Sequence, residues 1–495
     1  MSNHYYMGID SSTQSCKAII SDLDGNIVCQ GTAVNAPVIV PQPGWAEQDP
    51  DDNWDKFCKA VQNALAKFPY PKSEIVAVGL TGQRGTATLL DKNGEHVYRF
   101  ITWQDKRFWD ILTGQWFKEN PDIVENAYKV TSVQGWLAQK LTGQFQDCSV
   151  YPPVGPMAVF AQLAWPEDSK TYEDYGLPRE KLMDLVQPGV VYGPLTKEAA
   201  EATGLPVGIP IVAAAGDKQS ETLGAGVINP GEFYISYGTS AGINTPVANK
   251  YPMSANGSYT AFGSGVPGTY NAEGDLLRSH WIVTWFKEQF GHAAVEEAKR
   301  RGTSAEDIFN EEAANVSPGS DGLIVFPFWD ARPWYPQARG LMLGFHGNQH
   351  GRAHVFRAIL EGIAYGLRVS MDTMVNDFGT PASKIVIGGG GSKSDIGMQA
   401  SADIFGVPCL RGHTSESCAL GAAIAAAAGS GDYKSVPEAI AHMTRCVQTF
   451  DPIPENVKIY NEYYEKVFKQ IYPSLENVFT NINELTNNVV SATVL

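Results

Sequence analysis

In AAAGDKQSETLGAG, residues 213–226, a small apolar run stops at Gly216 and is followed at once by Asp217, Lys218 and Gln219. A short buried strand that ends in a glycine leaves the next side chains at its carboxyl end, where open α/β sheets bind ligands. A carboxylate there suits proton abstraction. The competing reading makes Asp217 the cap of a helix beginning near Gln219. Three further stretches carry donors. GIDSSTQSCK offers the hydroxyls of Ser11, Ser12, Thr13 and Ser15 around a tight turn, with Lys17 on the strand that returns. SYGTSAG adds Gly238, Thr239 and Ser240, and KIVIGGGGSKSD places four glycines between a strand and a helix start. Turns of this composition can cradle phosphate through backbone N–H groups. Each alone reads equally well as a plain turn, and the four-glycine run lacks the GxxxxGK[ST] spacing of a P-loop. Their order is more informative: donor hairpin, strand-end Asp, second donor hairpin, glycine loop.

The elements that must position these residues follow from patterning. YYMGIDSSTQSCKAIISDLDGNIVCQG reads as a three-stranded meander with a hairpin turn at Asp24 and Gly25. An amphipathic helix capped by Asp51 or Asp52 follows, with Phe57, Val61 and Leu65 on its apolar face, and then the buried strand IVAVGL. GEFYISYGTSAGINTPV repeats the strand–turn–strand pattern of the opening, a weak internal echo. Helices are expected over 355–375, from the glycine loop through Ile404, and in the Gly/Ala-rich segment beyond, with a terminal helix and polar tail in 452–495. The expected organisation is an α/β protein of two domains, 1–245 and 246–495.

Composition excludes several classes. The 495 residues are 43% hydrophobic and 18% charged, which describes a globular protein with ample core. With 37 Lys+Arg against 53 Asp+Glu the formal charge is -16, which opposes non-specific binding to nucleic acid or anionic membrane. The seven Cys lack CxxC spacing, no run reaches membrane-spanning length and the start has no signal-peptide pattern, so a cytoplasmic setting is expected. The nine His show no metal-binding spacing.

The ordered stretches GIDSSTQSCKAIISDLDG, GWAEQDPDDNW, VGLTGQRGTATLLD, ITWQDKR, GDKQSETLGAGV, YGTSAG, PQARGLMLG, ILEGIAYGLR, GGGGSKSDIGMQASADIFGVP and SESCALGAAIAA resemble the FGGY carbohydrate kinases over roughly residues 5–430. GWAEQDP, TATLLD and RAILEGIAYGL are most similar to xylulokinases. The resemblance implies two actin-like, ribonuclease-H-like domains with ATP, Mg²⁺ and a small sugar or polyol in the cleft between them. It places the catalytic base on Asp217 and the metal on Asp10. It assigns Thr13, Gln14, Ser15, Lys17, Gly238, Thr239, Gly389, Gly390 and Ser394 to ATP, and Gln83, Arg84, Trp103, Asp105, Lys218 and Gln219 to the acceptor. A ketopentose such as xylulose is the first expectation; glycerol or another polyol is the alternative, and a non-catalytic sugar sensor or actin-like assembly protein is the reading from another class. A homodimer is compatible with all of these.

The sequence also departs from the family. Gly82-Gln83-Arg84-Gly85 stands where xylulokinases read GQMHG. Arg84 followed by Trp103-Gln104 is closer to glycerol kinases, although Gly85 replaces their Glu. The chain is shorter than the family pattern after Arg107, and the usual signature helix is missing or merged into GWLAQKLTG.

Overall fold

The computed structural model describes residues 4–152, 154–156, 158–248 and 250–486. Two mixed sheets organise the chain. In the first, the strand order is Val191–Pro194, Pro210–Ala213, Ile75–Gly82, Tyr5–Ser11, Ser15–Ser21 and Ile27–Val34. In the second it is Cys446–Phe450, Cys409–Gly412, Lys384–Gly388, Glu232–Tyr237, Ala241–Val247, Tyr270–Leu276 and Thr260–Gly263. Each sheet has the same plan: an antiparallel hairpin, two parallel strands beside it and an antiparallel edge. The echo between the two hairpin sequences is therefore a repeated architecture.

Local chemistry accounts for the opening meander. Asp10 pairs with Lys17 across the first hairpin, leaving Ser12 to Gln14 as its tip. The next turn is held by Asp22, whose carboxylate accepts from the backbone N–H groups of Asp24 at 3.0 Å and Asn26 at 2.9 Å. Gly25 supplies the left-handed residue at φ 72°. The helix Pro50–Leu65 buries Phe57, Val61 and Leu65, but its cap is Asp49, with Pro50 at the first helical position. Asp52, one of the two expected caps, instead accepts from the Ala36 N–H at 2.7 Å.

A domain division at 245 would cut the strand Ala241–Val247; sheet membership changes earlier, before Glu232. The apolar EFYISY belongs with the hairpin it starts, not with the Asp217 segment it follows. Ser417–Gly429 crosses over in the other direction. This Ala-rich helix lies on the first sheet, where a Cβ on Gly8 or Gly79 would come within 1.9 Å of the Ala419 or Ala422 carbonyl oxygen. The helix Arg352–Phe378 covers the second sheet, and Pro454–Leu485 is helical with a π turn at Tyr464–Phe468. Most of the expected polar tail lies outside the described residues. Among the described residues no helix is long and apolar enough to cross a membrane.

Candidate functional site

Tyr5–Ser11, Ile75–Gly82 and Pro210–Ala213 are mutually parallel, so their carboxyl ends share one edge of the first sheet. That edge collects Asp10, the Gln83-Arg84 pair and Asp217. Asp217 is the first residue of the helix Asp217–Gly224; Gly216 is the cap, so the carboxylate is not spent on closing that helix end. Its Oδ1 accepts from Arg84 Nε at 2.9 Å and from the Lys218 N–H at 2.8 Å. Among the described residues no hydrogen bond reaches its Oδ2. Arg84 then grips Glu273 of the second sheet, Nη1 to Oε1 at 2.9 Å and Nη2 to Oε2 at 2.8 Å. Burial works to lower the Arg84 pKa, but Glu273 and Asp217 outweigh it and keep the guanidinium charged. Burial raises the Glu273 carboxyl, and Arg84 opposes that rise.

These groups open onto a cavity of about 550 Å³ between the two sheets. Of the residues expected on the acceptor side, Gln83, Arg84, Trp103 and Lys218 line it. Lys218 is paired with Glu221 one turn on, at 3.1 Å. Two expected residues stand off the cavity. Asp105 is 2% exposed and is consumed by the Ala46 N–H at 2.6 Å and by Arg107 at 2.6 Å; it braces the wall rather than facing the cavity. Gln219 is fully buried behind the helix start and does not line the cavity. Thr13, expected on the phosphate side, lines the cavity too, donating to Gln83 at 2.8 Å and accepting from Trp103 Nε1 at 2.9 Å.

The remaining expected residues do not line that cavity. Gln14 is exposed at the first hairpin tip and Thr239 at the second. Lys17 forms an ion pair with Glu416 from the far domain. Gly238 and Thr239 accept through their carbonyls from the N–H groups of His280, Ser279 and Trp281, which fixes the second tip. Gly389 is left-handed at φ 79°, and a Cβ there would sit 2.7 Å from the Tyr237 carbonyl oxygen, so the loop passes tightly over the hairpin. Gly390 faces open space. Ser394 caps the helix Asp395–Phe405 through the Gly397 N–H at 3.0 Å, a positioning role.

Asp10 tests whether a cation fits. Its Oδ1 is buried with no hydrogen-bond partner, and its pKa is pushed up to about 7 by burial and by the nearby Asp217 and Glu221. A hard divalent ion with oxygen ligands satisfies such a group. Elsewhere Asp49, Asp51 and His96 form a surface cluster in which Asp49 is already the helix cap.

The N-terminal domain description of the FGGY family of carbohydrate kinases matches residues 5–114 and 110–224, and its C-terminal domain description matches 233–430. The chain belongs to this family. As an FGGY carbohydrate kinase it is a phosphotransferase, and kinases of this family use ATP. It is 35% identical over 475 residues to an uncharacterised sugar kinase, YgcE, of Escherichia coli, covering 95% of this chain and 94% of that one. It is 31% identical to a glycerol kinase of Symbiobacterium thermophilum over 88% of this chain and 92% of that protein. In fold it is similar to a xylulose kinase from Lactobacillus acidophilus, with a TM-score of 0.83 and 22% identity over 97% of this chain and 100% of that one.

Several residues facing this FGGY kinase cavity escaped sequence reasoning. Glu273 and Asn244 are polar residues inside otherwise buried strands, an irregularity visible in YNAEGDL and AGINTPV. Tyr151 and Phe262, which flank the Arg84 guanidinium at 4.9 and 5.0 Å, carried no local signal.

Proposed function

We propose that this kinase transfers the γ-phosphoryl group of ATP to a hydroxyl of a ketose or polyol, with Asp217 as general base. The free Oδ2 of Asp217 supports this reading most directly. Arg84 and the helix N–H hold Oδ1, so the carboxylate is fixed in orientation and offers one unoccupied oxygen to the cavity. In the step proposed, the acceptor hydroxyl oxygen bonds to the γ-phosphorus, the bond to the β–γ bridging oxygen breaks, Asp217 takes the proton and ADP leaves. Lys17 and the two hairpin tips would hold phosphate oxygens, and the Gly389–Gly390 turn leaves room for the nucleoside. Asp10 is the residue that would hold Mg²⁺, which supplies charge neutralisation at the phosphates.

Arg84, flanked by Gln83, meets an acceptor with adjacent oxygens. A ketopentose such as xylulose offers a C2 carbonyl beside a hydroxyl, and glycerol offers a vicinal pair. A coupled ATP-consumption screen over pentuloses, hexuloses, glycerol and longer polyols tests the reading. Sugar-dependent ADP release in the wild type and its loss in Asp217→Asn support it; equal turnover in both refutes it.

A further inference from the structure

Arg84 gives Asp217 less than it could. Arg–carboxylate pairs are frequently bidentate, with two parallel N–H groups on the two oxygens, and that grip is stronger than a single contact. Here, among the described residues, the contact is single: Nε donates to Oδ1 at 2.9 Å and no hydrogen bond reaches Oδ2. The two Nη groups turn instead to Glu273, 2.9 Å from Oε1 and 2.8 Å from Oε2. The rest of the side chain is fixed in place. A Cβ built on Gly216 would come within 2.5 Å of Arg84 Cδ, so the stem lies flat on the backbone beside Asp217. The next residue repeats the pattern. The Lys218 ammonium interacts with Asp217, yet it is held by Glu221, at 3.1 Å from Oε1 and 3.2 Å from Oε2. Each cation beside Asp217 therefore has a second carboxylate of its own, and neither charge is balanced through Oδ2.

We infer that Glu273 is a positioning residue that keeps Asp217 Oδ2 open: it draws the guanidinium fork to the second sheet, so that Arg84 orients Asp217 through one oxygen and leaves the other for the acceptor hydroxyl. This rests on the reading of Asp217 as the base. Both Glu273 oxygens face Arg84, so the residue acts through that side chain. Glu273 is 9% exposed, and the guanidinium lies between the Tyr151 and Phe262 rings, at 4.9 and 5.0 Å. Without the Glu273 carboxylate the Nη groups lose their acceptor, and buried N–H groups left unpaired are costly. The nearest remedy is the carboxylate that Nε already touches. Nε and Nη2 then take both Asp217 oxygens, and the base is held firmly but masked.

Two substitutions test the inference. Glu273→Gln keeps the shape and removes the charge; Glu273→Met keeps the bulk, removes every acceptor and gives the same reading if the first variant does not fold. Each is measured alone, with Arg84→Met and with Asp217→Asn, as kcat at a saturating concentration of whichever of xylulose, fructose, glycerol and ribitol releases ADP fastest from the wild type. In the single variants kcat is expected to fall tenfold or more. It should recover at least threefold when Arg84→Met removes the masking cation, and Glu273 substitution should cost nothing further in Asp217→Asn. A side chain that merely braced the second sheet would lower kcat equally in both backgrounds and gain nothing from the loss of Arg84. Crystal structures of the single variants, which need no acceptor, should show Arg84 bonded to both Asp217 oxygens. An unchanged single contact from Nε, a wild-type kcat in the Glu273 variants, or no recovery with Arg84→Met overturns the proposal. Asp217→Asn separates the two readings. Near-wild-type turnover there removes the base and this inference with it, whereas lost turnover there beside unimpaired Glu273 variants removes this inference alone.

Discussion

Arg84 and Asp217 lie 133 residues apart and meet at 2.9 Å, Nε to Oδ1, at the carboxyl ends of two parallel strands. The same guanidinium reaches Glu273 across the cavity, so one side chain holds Asp217 and ties it to the second sheet. Asp217→Asn keeps the shape of this arrangement and removes the proposed proton acceptor. We expect kcat to fall by roughly two to four orders of magnitude, the usual scale of general-base catalysis, with ATP and sugar affinity retained. Steady-state kinetics with a direct binding measurement checks it, and near-normal turnover would show that another group takes the proton.

Removing the guanidinium has a wider effect. Arg84→Met strips Asp217 of its anchor and strands Glu273, which is only 9% exposed. Breaking one partner of a buried pair typically costs about 3–5 kcal/mol, so chemical denaturation should show a loss of that order. The sugar KM should rise about tenfold or more while the ATP KM changes little. An unchanged sugar KM would place Arg84 outside acceptor recognition.

The parts of this architecture legible in the sequence are those with local causes. Asp24-Gly25 and the Ser/Thr turn dictate their hairpins, and the run ending in Gly216 announces a strand end, so Asp217 was visible. Long-range pairing was not. Asp105 is a plausible ligand in ITWQDKR until Arg107 and the Ala46 N–H consume it. Gln219 is polar beside a catalytic candidate, yet the helix turns it inward. The strand EFYISY follows the Asp217 segment without a break in polarity, so the change of sheet before Glu232 has no local mark. Nothing local in SCALGAAIAAAAG says that this helix leaves its own sheet to cover the other; only the glycines at 8 and 79, in distant strands, mark its path.

His280 gives a pH signature. Its ring packs against Gly391 and lies 5.1 Å from the Tyr237 ring, between the second hairpin and the glycine loop. Burial lowers its pKa from 6.5 to about 4. The folded state therefore keeps the ring neutral where the unfolded chain protonates, so its contribution is complete above about pH 6.5 and is lost as pH falls toward 4. Between pH 7.5 and 5 that amounts to about 2 kcal/mol. Denaturant titrations at both pH values should show a correspondingly smaller loss in His280→Gln. Equal losses in the two proteins would contradict burial of the neutral ring.

Lys17 is expected to serve phosphate but is engaged by Glu416, with both side chains partly exposed at 32% and 20%. An ion pair of this exposure is worth about 0–1 kcal/mol, so ATP displaces it at small cost. Glu416→Gln should lower the ATP KM by up to about fivefold, and Lys17→Ala should raise it. A raised ATP KM in Glu416→Gln would mean that Glu416 assists nucleotide binding rather than competing with it.

The helices Asp217–Gly224 and Ser417–Gly429 begin at corresponding points of the two repeats and cross through paired glycines. A Cβ on Gly421 would lie 1.9 Å from the Ser220 carbonyl oxygen, and one on Gly224 would lie 1.9 Å from that of Ser417. No rotamer relieves a clash between a Cβ and backbone, so Gly421→Ala must push the helices apart. One of them starts with Asp217, the proposed base, and the other follows Glu416, so the displacement also shifts Asp217 against the Lys17–Glu416 pair. We expect a stability loss on the order of 1–3 kcal/mol, the range for overpacked interiors, together with a reduced kcat. Gly351→Ala, where an added Cβ meets nothing within 4 Å, is the control for the change of residue type. If denaturant midpoints and kcat of Gly421→Ala match those of the control, the crossing tolerates separation and the close approach of the two helices does not position Asp217.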